Sequence, residues 1–163
     1  KLSLEEYEQE MKDGAIAVAE YQKNSVDLVD ENTVKLLTDP ASISEGKAIY
    51  KQNCIACHGE LGEGGMGPNF TDDYWLYGGS INDIFRSIKY GRPKGMKAWK
   101  EDLGPAKIQV VVSFLKSLRG TNPPNAKEKE GGLYLEEGKK PVADSTQPAN
   151  DSLTKSGVDS IKK

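Results

Sequence analysis

The chain is predicted to fold as an all-α protein, and three observations predict it. Apolar residues recur at helical spacing in several segments. Capping-box patterns, in which a serine precedes a glutamate by three residues, stand before two of these segments. No segment alternates apolar and polar residues as a half-buried strand would. With 163 residues, 36% of them hydrophobic, the chain should form one domain with solvated appendages.

The first 41 residues are predicted to form an acidic helical leader. Ser3 and Glu6 make a capping box, and Leu4, Tyr7 and Met11 follow at helical spacing. Residues 1–40 hold 4 basic and 10 acidic side chains, so the polar face of this helix is strongly negative. We expect the helix to pack on the domain or on a neighbouring protein. A short second helix is predicted from Asn32 to Leu37.

Residues 42–120 are predicted to be the compact domain. Ser42 and Glu45 open a helix that runs into Cys54, and Ser80 and Asp83 open another. Pro105 suits the first position of a last helix that ends before Gly120. The apolar stripe of this last helix is the strongest in the chain and comprises Ile108, Val111, Val112, Leu115 and Leu118. About three helices should therefore enclose the core.

The last part of the chain, residues 121–163, is predicted to be a disordered polar tail. It is rich in Pro, Gly, Ser, Lys and Glu and has one aromatic residue, Tyr134. A segment of this composition buries too little apolar surface to offset the entropy lost on ordering.

Cys54, Cys57 and His58 carry the most specific chemistry in the sequence. They are the only cysteines and the only histidine, and they stand in the pattern C-x-x-C-H. This pattern is typical of c-type haem attachment, in which two thiols bind the vinyl groups of one porphyrin and the histidine binds its iron. A zinc site would need four ligands, and a dithiol redox pair would not use the histidine. These two readings remain the alternatives.

Met96 is the predicted second ligand of the iron. The other methionines are Met11, in the leader, and Met66, close to His58 on the glycine-rich loop. Met96 lies in a polar loop containing glycine and proline, where a methionine is not needed for packing; filling a gap in the core is its alternative role. An iron held by histidine and methionine has no open position, so it would carry electrons and not activate oxygen.

A basic cluster surrounds this predicted ligand in the sequence. Five basic residues lie within twelve positions, with no acidic residue among them, and they could steer an acidic partner or simply be solvated. They are Lys89, Arg92, Lys94, Lys97 and Lys100.

Residues 42–120 resemble class I c-type cytochromes. Gly46 and Tyr50 look like the glycine and aromatic residue with which that family's first helix crosses its last, where Phe114 would be the partner. Pro68 matches the proline whose carbonyl orients the ligating imidazole. Residues 67–79, Gly-Pro-Asn-Phe-Thr-Asp-Asp-Tyr-Trp-Leu-Tyr-Gly-Gly, are similar to a stretch in the haem domains of subunit III of cbb3-type cytochrome oxidases.

This resemblance implies a class I cytochrome c fold of three to five helices around one covalent haem c. It also implies that Tyr74, Trp75 and Arg92 belong to the cofactor-binding residues. The single C-x-x-C-H motif departs from the two found in many members, so either the chain belongs to a monohaem branch or a second haem domain lies outside this sequence; the polar tail after Gly120 favours the monohaem form.

The resemblance further implies a periplasmic electron carrier, not itself an enzyme, anchored by a membrane segment before Lys1. Its partners would be other oxidase subunits and a donor cytochrome or quinol-oxidising complex, with no nucleic acid. The alternatives are a diffusible cytochrome shuttle, the haem domain of another respiratory complex, and a haem enzyme or gas sensor.

Overall fold

A computed structural model describes residues 4–24 and 29–141, and the regular secondary structure of these residues is mostly helical. Its helices are α1 (Leu4–Asn24), α2 (Pro40–Asn53), α3 (Ile55–His58), α4 (Ile81–Tyr90) and α5 (Pro105–Ser117). Two strands of two residues each, β1 (Tyr74–Trp75) and β2 (Gly132–Leu133), pair antiparallel. The predicted all-α class is confirmed. None of the helices in the described part of the chain has the length and apolar character needed to cross a membrane.

The starts of the helices follow from their capping residues. Ser80 accepts a hydrogen bond from the backbone N–H of Asp83 at 3.1 Å, as its position before α4 predicts. The start of α2 was predicted at Ser42, but the helix begins at Pro40. Asp39 is its N-cap and accepts the Ser42 N–H at 2.8 Å, while Pro40 occupies the first helical position, where no N–H is needed.

The core is centred on the crossing of α2 and α5. Gly46 permits a close approach, because a Cβ atom at this position would lie 2.1 Å from the carbonyl oxygen of Val110. One turn later the ring of Tyr50 packs on Phe114 with 5.3 Å between ring centroids. The predicted crossing of the first and last domain helices is therefore confirmed. Helix α4 also packs against α5.

The described part of the leader consists of α1 and of residues 29–39, which form no helix or strand. Leu4, Tyr7 and Met11, the predicted apolar stripe of α1, are all more than half exposed. The prediction of a helix from Asn32 to Leu37 is wrong, because no helix forms there. The Asp30 carboxylate instead accepts backbone N–H groups at the start of this segment and stabilises a turn, after which residues 34–38 have no regular secondary structure.

The order of residues 121–141 differs from the predicted disorder. Strand β2 pairs with β1, the Tyr134 N–H donates to the carbonyl oxygen of Asp73 at 2.8 Å, and Glu136 forms an ion pair with Lys116 at 2.6 Å. Composition did not reveal this order because the partners of the segment lie far away in the sequence. Residues 142–163 of the predicted tail lie outside the described residues.

Candidate haem-binding site

The predicted attachment motif forms one tight turn at the end of α2. Cys54 is the C-cap of α2, with its N–H donating to the carbonyl oxygen of Tyr50 at 2.8 Å. The carbonyl oxygen of Cys54 in turn accepts the N–H groups of Cys57 and His58, at 3.2 and 3.0 Å. The Tyr50 hydroxyl donates to the carbonyl oxygen of Gly59 at 2.7 Å, which fastens the far side of the turn to α2. Both thiols and the imidazole are thus carried by a single braced turn.

His58 is buried, and its ring is oriented by three neighbours. Its Nδ1 lies 3.2 Å from the carbonyl oxygen of Pro68. Because a carbonyl oxygen only accepts, Nδ1 carries the proton and Nε2 keeps its lone pair for a metal. Phe70 stacks on the imidazole at 4.4 Å between centroids. A Cβ atom on Gly67 would lie 2.4 Å from the His58 Cε1, so glycine is needed for the loop to pass the ring.

Burial lowers the pKa of His58, and the hydrogen bond to Pro68 only partly opposes this effect. The imidazole is therefore neutral at neutral pH, which is the form that binds iron.

The imidazole lines an apolar cleft that it shares with the Met96 loop and α5. Met96 is the methionine that lines this cleft, whereas Met66 is 85% exposed and Met11 is 58% exposed. The Met96 loop is closed by a hydrogen bond from the Arg92 N–H to the Met96 carbonyl oxygen at 2.9 Å. The complete lining is Tyr50, Cys54, His58, Phe70, Ile88, Met96, Trp99, Leu103, Val111 and Leu115.

The residues present fit a covalent haem. One neutral imidazole and one thioether meet in the same cleft, and a thiol of the attachment turn lies in its lining. The rest of the lining is almost wholly apolar, as the faces of a porphyrin require. The Gly67 position adds a cradle around the imidazole that any side chain would fill. His58 and Met96 are thus the residues that would hold the iron, and Cys54 and Cys57 the ring.

Two other uses of the cysteines were left open by the sequence. Burial, and secondly the neighbouring Cys57, raises the pKa of the Cys54 thiol to about 11. Redox-active C-x-x-C pairs depend on a thiol whose pKa is lowered, so the structure disfavours a dithiol catalyst. A zinc site needs four ligands. Residues 4–24 and 29–141 contain no group of three or more His, Cys, Asp or Glu side chains arranged to hold a metal ion.

The structure places the other predicted site residues at different distances from the cleft. Pro68 contacts the imidazole directly. Trp75 stacks behind Phe70 at 5.9 Å, while Tyr74 lies under the Lys129 ammonium. Arg92 stacks on the ring of Tyr77 and donates to Ser87. Tyr74, Trp75 and Arg92 are not in the lining of the cleft, and their contact with a cofactor stays a prediction.

Sequence reasoning missed Phe70 and Trp99, which line the cleft. A signal for both was present. Phe70 lies two residues after Pro68, and Trp99 three residues after Met96. An aromatic residue so close to an expected ligand is a candidate for the wall of an apolar site.

The basic cluster is partly neutralised. Lys89 pairs with Glu31 of the leader at 3.0 Å, and Lys97 pairs with Asp102 at 2.9 Å and lies over the Trp99 ring. Any steering of an acidic partner therefore depends on fewer charges than the sequence suggests.

Comparisons with known proteins agree with this geometry. Residues 41–115 match the family model described as cytochrome C oxidase, cbb3-type, subunit III. The cbb3-type cytochrome c oxidase subunit CcoP of Rhodobacter capsulatus is 40% identical over 92 residues, which is 50% of this chain and 31% of that protein. The corresponding subunit FixP of Bradyrhizobium diazoefficiens is 40% identical over 80 residues, 47% of this chain and 28% of that protein. The chain thus spans about a third of the length of these curated relatives.

Among solved structures, cytochrome cL of the methylotroph Methylophaga aminisulfidivorans is similar, with a TM-score of 0.50 and 27% identity. The match covers 51% of this chain and 59% of that one. It agrees with the class I cytochrome c fold that the sequence predicts.

Proposed function

We propose that this protein carries electrons within a cbb3-type oxidase. The proposal starts from residues 41–115, which form a class I c-type cytochrome domain and resemble subunit III of these oxidases. The protein would accept electrons from a donor cytochrome or a quinol-oxidising complex and pass them to the catalytic subunit. Oxygen is reduced in that other subunit, so this domain is a carrier and not itself a catalyst.

One observation carries the proposal: His58 and Met96 line the same apolar cleft, next to Cys54 of the attachment turn. A haem c bound there, one per domain, would supply a reversible one-electron couple at iron. His58 and Met96 would hold the iron and keep other ligands from it. Methionine ligation raises the reduction potential, which suits transfer toward a terminal oxidase.

The surrounding residues would hold the His58 and Met96 side chains in position. The Pro68 carbonyl fixes the ring orientation of His58 and favours the tautomer in which Nε2 is free. The stacked rings of Phe70 and Trp75 support the imidazole from behind. Trp99 and Leu103 line the cleft with Met96 and help to exclude water from the iron.

The location that agrees with this function is the periplasmic face of a bacterial inner membrane. Covalent haem attachment belongs to that side, and the leader would connect the domain to an anchor before Lys1. The partly neutralised basic cluster would then face an acidic donor, and raised ionic strength should slow electron uptake. A rate that does not respond to salt would remove the steering role.

The test uses the full-length gene product, loaded with haem, in cells that lack the native gene. We expect it to co-isolate with a membrane oxidase and to restore oxygen consumption. Met96→Leu should restore much less, whereas Met66→Leu, a matched change at an exposed position, should restore fully. Free protein in the soluble fraction, with oxygen consumption unrestored, would contradict the proposal.

A diffusible electron shuttle is the second candidate, because the likeness to cytochrome cL concerns the domain fold, which anchored and diffusible cytochromes could share. The same fractionation separates the two, because a shuttle would leave the membrane while remaining fully reducible by a donor.

A further inference from the structure

Residues 29–37 of the leader, here called the strap, begin with a turn at residues 31–33, continue without regular secondary structure and pack against the domain. Val34 is buried in the core. The backbone N–H of Lys35 donates to the side-chain oxygen of Gln109, and the N–H of Leu37 donates to the Ser113 hydroxyl, both at 3.0 Å. The strap is therefore fastened along α5 and is part of the domain.

Glu31 fastens the strap to both ends of α4. The Asn82 side chain, in the first turn of α4, donates to the Glu31 carbonyl oxygen at 2.7 Å. At the other end, the Glu31 carboxylate accepts from the Lys89 ammonium at 3.0 Å and from the Tyr90 hydroxyl at 3.1 Å. The side chains of Glu31 and Lys89 are only 20% and 25% exposed, so this contact is better shielded than an ordinary surface pair.

The same end of α4 supports the Met96 loop. The carbonyl oxygen of Ile88 accepts the N–H of Trp99 at 3.0 Å, and that of Lys89 accepts the N–H of Lys100 at 3.3 Å. The loop thus leaves α4 after Tyr90 and returns to the turn that Glu31 holds. Arg92 also restrains the loop through its hydrogen bonds to Met96 and Ser87, but Met96 itself is only partly buried.

We propose that Glu31 is a positioning residue for Met96: by holding the last turn of α4, it limits the opening of the loop that presents the thioether to the iron. This inference rests on the proposed haem site but names a function for the leader that the site alone does not require. Loss of the carboxylate frees Lys89 and Tyr90, and the turn to which the loop is bonded becomes more mobile. The methionine then leaves the iron more often.

Imidazole binding to the oxidised, haem-loaded protein measures this opening, because imidazole reaches the iron only when Met96 has left. Its apparent affinity scales with the open fraction. We expect Glu31→Gln to bind imidazole about three- to tenfold more tightly than wild type. Glu60→Gln is the matched control, since Glu60 pairs with Lys51 on an exposed surface away from α4. It should bind imidazole like the wild type.

A charge-swapped double variant, Glu31→Lys with Lys89→Glu, should recover most of the wild-type affinity, and a role in general stability would not predict this rescue. Wild-type imidazole affinity in Glu31→Gln would overturn the positioning role while leaving the haem site intact. Absence of the methionine-to-iron absorption band in the wild type would overturn the ligand assignment and the positioning role together.

Discussion

Replacing Gly67 with alanine tests the geometry around His58 most sharply. The new Cβ would lie 2.4 Å from Cε1, 2.6 Å from Nδ1 and 2.9 Å from Nε2 of the imidazole. Carbon atoms in contact prefer about 3.5–4.0 Å, so the ring or the loop must move by about 1 Å. The ring is held on its other sides by the Pro68 carbonyl and the Phe70 ring, and it cannot move that far without losing one of these contacts.

Overpacking of this kind typically costs about 1–3 kcal/mol. We expect Gly67→Ala to lower the free energy of unfolding of the haem-loaded protein by that amount, measured by denaturant titration. The displaced imidazole should also shift the reduction potential and the absorption spectrum, because the ligand field at the iron depends on ring orientation.

Gly132→Ala is the matched control. A Cβ atom on Gly132 meets nothing within 4 Å. The free energy of unfolding of the Gly132→Ala variant should stay within about 0.5 kcal/mol of the wild type, and its reduction potential should be unchanged. If Gly67→Ala behaved like this control, the account of how His58 is oriented would be refuted.

Three further changes test the packing, the buried ion pair and the ordered part of the tail. Gly46→Ala places a Cβ atom 2.1 Å from a backbone oxygen of α5 and should lower the free energy of unfolding by about 3 kcal/mol, measured by thermal unfolding. Arg119→Met removes the partner that lies 2.5 Å from the buried Asp73 carboxylate and should cost about 3 kcal/mol in denaturant titration; a loss under about 0.5 kcal/mol would contradict this. Hydrogen bonds from two lysines lower the pKa of Glu136 from 4.5 to about 2, so its stabilisation is complete above pH 4.5 and is lost as the pH falls through 2. The difference in melting temperature between wild type and Glu136→Gln should therefore shrink over that range, and a constant difference would exclude this ion pair as its source.

The helices of the domain could be predicted because their signals are local. Ser80 before α4 and Pro105 at the start of α5 act within one helical turn. The start of α2 was displaced because two signals compete there, and Asp39 with Pro40 prevails over the Ser42 capping box. Both signals are visible in the sequence, but only the structure decides between them.

The order of the segment after Gly120 could not be predicted from its composition. Its partners are Asp73 and Lys116, and their contacts with Tyr134 and Glu136 depend on the folded domain. The same is true of residues 34–38, which form no regular secondary structure and instead donate hydrogen bonds to side chains of α5. Long-range contacts of this kind leave no periodic pattern.

The candidate site was predictable in part. The attachment motif is local and specific, and the structure brings Cys54, His58 and Met96 to one cleft. The walls of the cleft come from segments far apart in the sequence, so the last helix could be expected to cover a haem, but only the structure shows that Val111 and Leu115 are its residues that line the cleft. Arg92 is the opposite case. It was predicted among the cofactor-binding residues, but the folded loop places it beside Tyr77.

The central claim is a closed iron held by His58 and Met96, and the most direct measurement is axial coordination in the haem-loaded protein. The oxidised wild type should show the weak near-infrared absorption of methionine bound to iron, and the reduced form should not bind carbon monoxide. Met96→Leu should lose the absorption and bind carbon monoxide readily, while Met66→Leu should match the wild type. A wild type without the absorption that binds carbon monoxide at once would contradict the account and favour a haem enzyme or gas sensor.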